Sequence, residues 1–99
     1  MEPFERFKNL NTNGNLWVYI LSLGKNTTIC DEDLNKLIFE KFGFLPGMST
    51  VKRVLYRLRQ QGYIETEKYK SKRAYKTTEK GRKELDKMRN FCQELLQKI

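Results

Sequence analysis

The stretch from Met48 to Gln61, MSTVKRVLYRLRQQ, constrains this chain more than any other. Val51, Val54, Leu55 and Leu58 fall at i, i+3, i+4 and i+7, the apolar stripe of a helix with one buried face. At about 100° per residue, Ser49, Lys52, Arg53, Tyr56, Arg57 and Gln60 point away from that stripe, and none of them is acidic. A helix with such a face can lie on a phosphate-rich surface. Ser49 is the expected N-cap, its hydroxyl accepting from the free N–H groups of the first turn, because Pro46-Gly47 breaks any preceding helix. Gly62 is expected to stop the helix in a left-handed conformation that other residues resist. A surface helix with a merely solvated basic face has the same pattern, so the residues after Gly62 decide how much weight it carries.

Those residues are YIETEKY and RAYKT, rich in Tyr, Thr and Ile and joined at Lys70-Ser71-Lys72, which predicts a hairpin over about residues 63–77. No glycine marks its turn, so a loop of three or more residues is expected rather than a two-residue one. Ile64 is the best core residue of the hairpin, while Lys68, Lys70, Lys72 and Arg73 crowd its tip. A basic-faced helix, a glycine and then a cationic hairpin is the order of a winged helix-turn-helix, an α+β fold that is mostly α.

The other segments fit around that pair. Glu2 to Leu10 is expected to form a short helix with Pro3 in its first turn, its Phe4, Phe7 and Leu10 covering a hydrophobic surface of this chain or of a partner subunit. Leu16 to Leu23 is apolar nearly all round and ends at Gly24, which makes it the central core helix, with Trp17 and Tyr19 as packing residues whose polar tips need partners. Thr27 to Ile29 is a candidate short strand for the hairpin to pair with. Asp31 is the expected cap of a helix that buries Leu34, Leu37, Ile38 and Phe42, ends at Gly43, and crosses behind the Met48 helix.

Thr78 is the expected cap of the last helix. There Leu85, Met88, Cys92, Leu95 and Ile99 recur at spacings of 3, 4, 3 and 4, a heptad seam that Phe91 and Leu96 widen. A helix from Glu79 to Gln97 would span about 28 Å, longer than a domain this small needs to cover itself. Part of it is therefore expected against a second chain, although the same stripe would also serve a helix folded back on its own core. Cys92 lies on the seam, where a two-fold axis can bring it against its own copy; a seam cysteine is equally an ordinary small apolar residue. The expected organisation is one winged-helix domain over residues 1–99, with an N-terminal packing segment at 1–12, a core at 13–77 and a C-terminal dimerisation helix at 78–99.

Charge is concentrated on the same elements. The formal net charge is +8, yet residues 48–83 alone hold twelve basic and three acidic side chains, against five and six before them and three and three after. Such focusing is the footprint of a nucleic-acid partner, less often of an anionic membrane or an acidic protein. With no histidine and only Cys30 and Cys92, a zinc site of four N or S ligands has almost no candidates, and no metal or cofactor is expected. Neither a paired-carboxylate constellation nor a Gly-rich phosphate loop argues for an enzyme. No apolar run approaches the roughly 18 residues of a membrane span, and the N-terminus has no apolar signal region, so a cytoplasmic protein with no membrane partner is expected.

The run RVLYRLRQQGYIETE followed by SKRAYKTTEKGRKEL resembles the winged-helix part of the PadR-like transcriptional regulators and, more loosely, of the MarR-like ones. Those families show a leucine-spaced recognition helix ending in Gly-Leu-Ile, a wing, and then Tyr-x-Leu-Thr-x-x-Gly-x-x-x-Leu. Here that last element runs from Tyr75 to Leu85 with Thr77 in the place of leucine, Lys52 stands where PadR-like proteins often carry tyrosine, and the wing lacks their usual glycine. Small winged-helix proteins of archaeal viruses and plasmids also look like this. The resemblance implies a homodimeric, sequence-specific double-stranded-DNA-binding transcriptional regulator. Its recognition helix, about residues 49–61, would enter the major groove, and its wing, about 63–77, would lie on the backbone or in the minor groove. On that reading Ser49, Lys52, Arg53, Tyr56, Arg57, Gln60, Lys68, Lys70, Lys72 and Arg73 contact DNA. Phe4, Phe7, Leu85, Met88, Phe91, Cys92, Leu95, Leu96 and Ile99 would form the dimer interface. A winged helix that binds RNA or nucleic acid of any sequence, or a protein-interaction module of the transcription machinery, would use the same surfaces.

Overall fold

The computed structural model describes every residue from Met1 to Ile99. Helix α1 (Pro3–Leu10) leads through a short turn into helix α2 (Leu16–Leu23), strand β1 (Ile29–Cys30), a 3₁₀ turn at Asp31–Asp33 and helix α3 (Leu34–Phe42). Helix α4 (Met48–Gln60), strands β2 (Ile64–Tyr69) and β3 (Lys72–Thr77), and helix α5 (Glu79–Lys98) complete the chain. β3 is the middle strand of an antiparallel sheet, with β2 on one side and β1 on the other. The chain thus forms the expected α+β winged helix with a long C-terminal helix.

The apolar run of α2 is the post against which α3, α4, α5 and the middle strand β3 pack. Leu16, Ile20 and Leu21 are buried beside Leu34 and Ile38 of α3, Val51, Leu55 and Leu58 of α4, Ile64 and Tyr75 of the hairpin, and Leu85 of α5. Burying a side chain of this size contributes about 1.5–3 kcal/mol, so the stripe of α4 fixes the rotation of that helix and turns its other face outward. Two polar groups enter the core with partners. The Tyr75 hydroxyl donates to the Ile20 carbonyl at 2.6 Å and the Thr77 hydroxyl to the Leu21 carbonyl at 2.8 Å, tying β3 to α2. Gly81 completes the join, because a Cβ there would collide with the Tyr63 carbonyl and with Thr77.

Gly43 and Gly62 follow α3 and α4 at φ 82° and 80°, as the sequence led one to expect. Several local expectations are corrected. Ser49 does not cap α4: Gly47 is already extended at the N-cap, its carbonyl accepts from the Val51 N–H at 3.0 Å, and Ser49 falls inside the first turn. Asp31 does not cap α3 either, since the 3₁₀ turn intervenes and α3 begins at Leu34 without a side-chain cap. The short strand is Ile29–Cys30 rather than Thr27 to Ile29, in the register that sets Ile29 opposite Tyr75 and Cys30 opposite Ala74.

The hairpin turn has two residues, not three or more. Lys70 and Ser71 sit at φ 51° and 66°, the positive-φ pair of a type I′ turn, whose twist matches the flanking strands. Residues with a Cβ resist this conformation by about 1–2 kcal/mol each. The unbroken β2–β3 register from Ile64↔Thr77 to Tyr69↔Lys72 imposes it.

Candidate nucleic-acid interface

With Val51, Leu55 and Leu58 at 6% exposure or less, the six predicted residues of α4, Ser49, Lys52, Arg53, Tyr56, Arg57 and Gln60, are all exposed on one face. The Gln60 side-chain amide donates to the Tyr56 hydroxyl at 2.9 Å, which leaves the phenol proton free to donate outward. The six ion pairs of the chain use none of Lys52, Arg53 and Arg57. Their charge has no carboxylate against it. The face divides two grooves. One, of about 550 Å³, is bordered by Lys52, Tyr56, Arg59, Arg73 and the Asp31-Glu32 turn; the other, of about 740 Å³, is bordered by Arg53, Arg57, Trp17, Tyr63 and Glu84.

The four cations predicted for the wing are not equivalent. Lys68 and Lys70 are exposed and free of carboxylates, with the Lys70 ammonium 5.3 Å from the centre of the Tyr69 ring. Lys72, by contrast, lies 2.5 Å from a Glu32 carboxylate oxygen, and Arg73 lies 4.0 Å from Asp31. The hydrogen bond and charge of Glu32 hold the Lys72 ammonium above its ordinary pKa. Both members of that pair are solvent-exposed, so water and salt screen it.

Arg59 was not among the predicted residues. Its guanidinium donates to the Asp31 carboxylate at 2.9 Å, the Thr66 hydroxyl at 2.9 Å and the Ala74 carbonyl at 3.3 Å. The available signal was angular: at about 100° per residue, Arg59 falls beside Leu55 at the edge of the apolar stripe rather than opposite it. A charge in that place reaches round to a neighbouring element.

The residues predicted for a dimer interface also divide. Phe4, Phe7, Phe91, Cys92, Leu95, Leu96 and Ile99 are exposed, and both cysteines are free thiols. Leu85, however, is 6% exposed in the chain's own core, with Met88 half-buried against it. The root of α5 packs inward, and only its outer half keeps its apolar side chains exposed. No three metal-ligating side chains converge, and no helix is long and apolar enough to cross a membrane.

No protein-family model and no curated protein matches the chain. Solved structures do. It is similar to a transcriptional regulator from Clostridium thermocellum at 26% identity and TM-score 0.71, over 86% of this chain and 85% of that one. A PadR family transcriptional regulator from Eggerthella lenta superposes at TM-score 0.74 and 21% identity, over 95% and 87% of the two chains. A winged-helix DNA-binding protein from STIV does so at TM-score 0.69 and 17% identity, over 88% and 91%. The order of helices and strands, the sheet with β3 at its centre, and these likenesses together give the chain a PadR-like winged-helix fold.

Proposed function

We propose that this chain is a sequence-specific double-stranded-DNA-binding transcriptional regulator that acts as a homodimer, with α4 in the major groove and the β2–β3 wing on the backbone or minor-groove edge. The observation that carries this reading is the outward face of α4, where three cations without carboxylate partners stand among Ser49, Tyr56 and Gln60 on a rotationally fixed helix. A major groove about 12 Å wide admits an α-helix, and an arginine fork reads guanine by two hydrogen bonds. Arg53 and Arg57 are one helical turn apart and suited to that task. On the wing, Lys68 and Lys70 are the cations best placed for phosphate. Likeness to other transcriptional regulators supports the assignment.

The dimer rests on exposed apolar side chains of α1 and the outer half of α5, arranged as an isologous pair about a two-fold axis. Two copies of α4 would then meet half-sites about 34 Å apart. RNA is less suited, because the deep, narrow major groove of an A-form helix keeps side chains from its base edges. Fluorescence anisotropy against the upstream DNA of its own gene, random duplex and structured RNA tests the proposal. Preference for a pseudo-palindrome in the upstream DNA is expected, and equal affinity for all three would overturn it.

A further inference from the structure

Arg59 stands where the two halves of the proposed DNA surface meet. From the last turn of α4, its guanidinium reaches β2 at Thr66, β3 at the Ala74 carbonyl, and the turn before α3 at Asp31. The Arg59 and Asp31 side chains are 12% and 24% exposed, so this pair is screened less than the exposed pairs of the wing. A guanidinium can hold three acceptors in fixed directions at once, which an ammonium cannot match. Asp31 also faces Arg73, and its neighbour Glu32 holds Lys72. The acidic turn therefore grips both α4 and β3.

We infer that Arg59 is a positioning residue that, through Asp31, holds the wing at a set angle to α4, so that base contacts by α4 and phosphate contacts by Lys68 and Lys70 form together. This rests on the DNA-binding reading. A hairpin free to swing would have to be ordered at the moment of binding, and that ordering weakens affinity. Arg59 does the ordering beforehand. It need not touch DNA itself, and its acceptors are all groups of the protein.

The test is a double-mutant cycle between Arg59→Gln and the pair Lys68→Ala, Lys70→Ala, read as the salt dependence of duplex binding by the full chain. Removing the two lysines from the wild type should lower the magnitude of the slope by about two units, at about 0.9 per phosphate contact. R59Q alone should lower it by about one to two units, and removing the lysines from R59Q should then change it little. Full additivity, with R59Q keeping the wild-type slope, would overturn the inference. Nitrogen-15 relaxation without DNA gives a second readout: faster motion of the wing amides in R59Q with α4 unchanged is expected, and identical relaxation counts against the inference. Should R59Q fail to fold, Arg59→Lys, which keeps a charge near Asp31 but not the fork, carries the same comparison with the same two outcomes. Wild-type protein that binds no duplex would fail the DNA reading alone, since the relaxation experiment still tests whether Arg59 holds the wing.

Discussion

Across α4 and the wing the exposed side chains are mostly cations, hydroxyls and amides, with Met48 and Glu65 among them, whereas along α1 and the outer half of α5 they include Phe4, Phe7, Phe91, Leu96 and Ile99, each 59–89% exposed. Water solvates the first set well, so the isolated chain loses little by leaving it bare. It gains nothing from the second set, and α1 contributes no buried residue at all. The first surface suits a partner that comes and goes. The second suits one that stays, because exposed apolar area is what lasting interfaces cover.

The strongest attempt to break this comparison is Phe91→Glu together with Leu96→Glu. Each buried apolar side chain is worth about 1.5–3 kcal/mol and tenfold in affinity is about 1.4 kcal/mol, so the proposed dimer should weaken by at least about 100-fold. Sedimentation would report monomers, with the thermal melt of the core little changed. Wild-type protein that sediments as a monomer at about 10 µM, a middling point on the usual affinity scale, would erase the contrast between the two surfaces.

Arg53→Ala should cost about 1–3 kcal/mol on a specific duplex and less on random DNA, measured by anisotropy at one salt concentration. Equal losses on both would reduce Arg53 to a phosphate contact and α4 to a generic basic surface.

Within the wing, base and tip can be set against each other in the same way. Burial, with the charge of Asp31 adding to it and that of Arg59 opposing, pushes the Tyr75 hydroxyl far above its ordinary pKa of 10.0. The folded state thus favours the neutral phenol. Its contribution is whole below pH 10.0 and is lost as pH rises beyond, where the unfolded tyrosine ionises first. Tyr75→Phe should cost about 0.5–1.5 kcal/mol near neutral pH, and denaturant melts should show the gap to wild type closing in alkali. A gap that stays constant with pH would mean that the hydroxyl is not buried in solution. At the tip, Lys70→Asn with Ser71→Gly relieves two left-handed positions and should gain up to about 1 kcal/mol. For a domain of this size that raises the melting temperature by about 4–8 °C, and no gain would argue against the two-residue turn.

Helices were legible in the sequence because their signals are local. The stripe from Val51 to Leu58 and the glycine after it placed α4 to within a residue or two, and the same stripe turned Lys52, Arg53 and Arg57 outward. Pairings between distant segments were not legible. Lys72 and Glu32 are 40 residues apart, so nothing near the wing announces that one of its cations is already occupied. Arg59 was hidden for a like reason, its three acceptors lying on other elements. The heptad seam is apolar, but periodicity does not say whose core a residue enters. Leu85 enters its own.

The two hydroxyls of β3 that close onto α2 bear on how this chain comes to be folded. They bond carbonyls 55 and 56 residues earlier, so these two ties between α2 and the sheet cannot form until the whole hairpin has been synthesised and docked. Closing so long a loop comes before any contact rewards it, and such non-local closures set the pace of folding. A nascent chain that stops before Lys72 would lack the middle strand of the sheet and the two hydroxyls that tie it to α2. The tie between α2 and the sheet can therefore form only after β3 has been made.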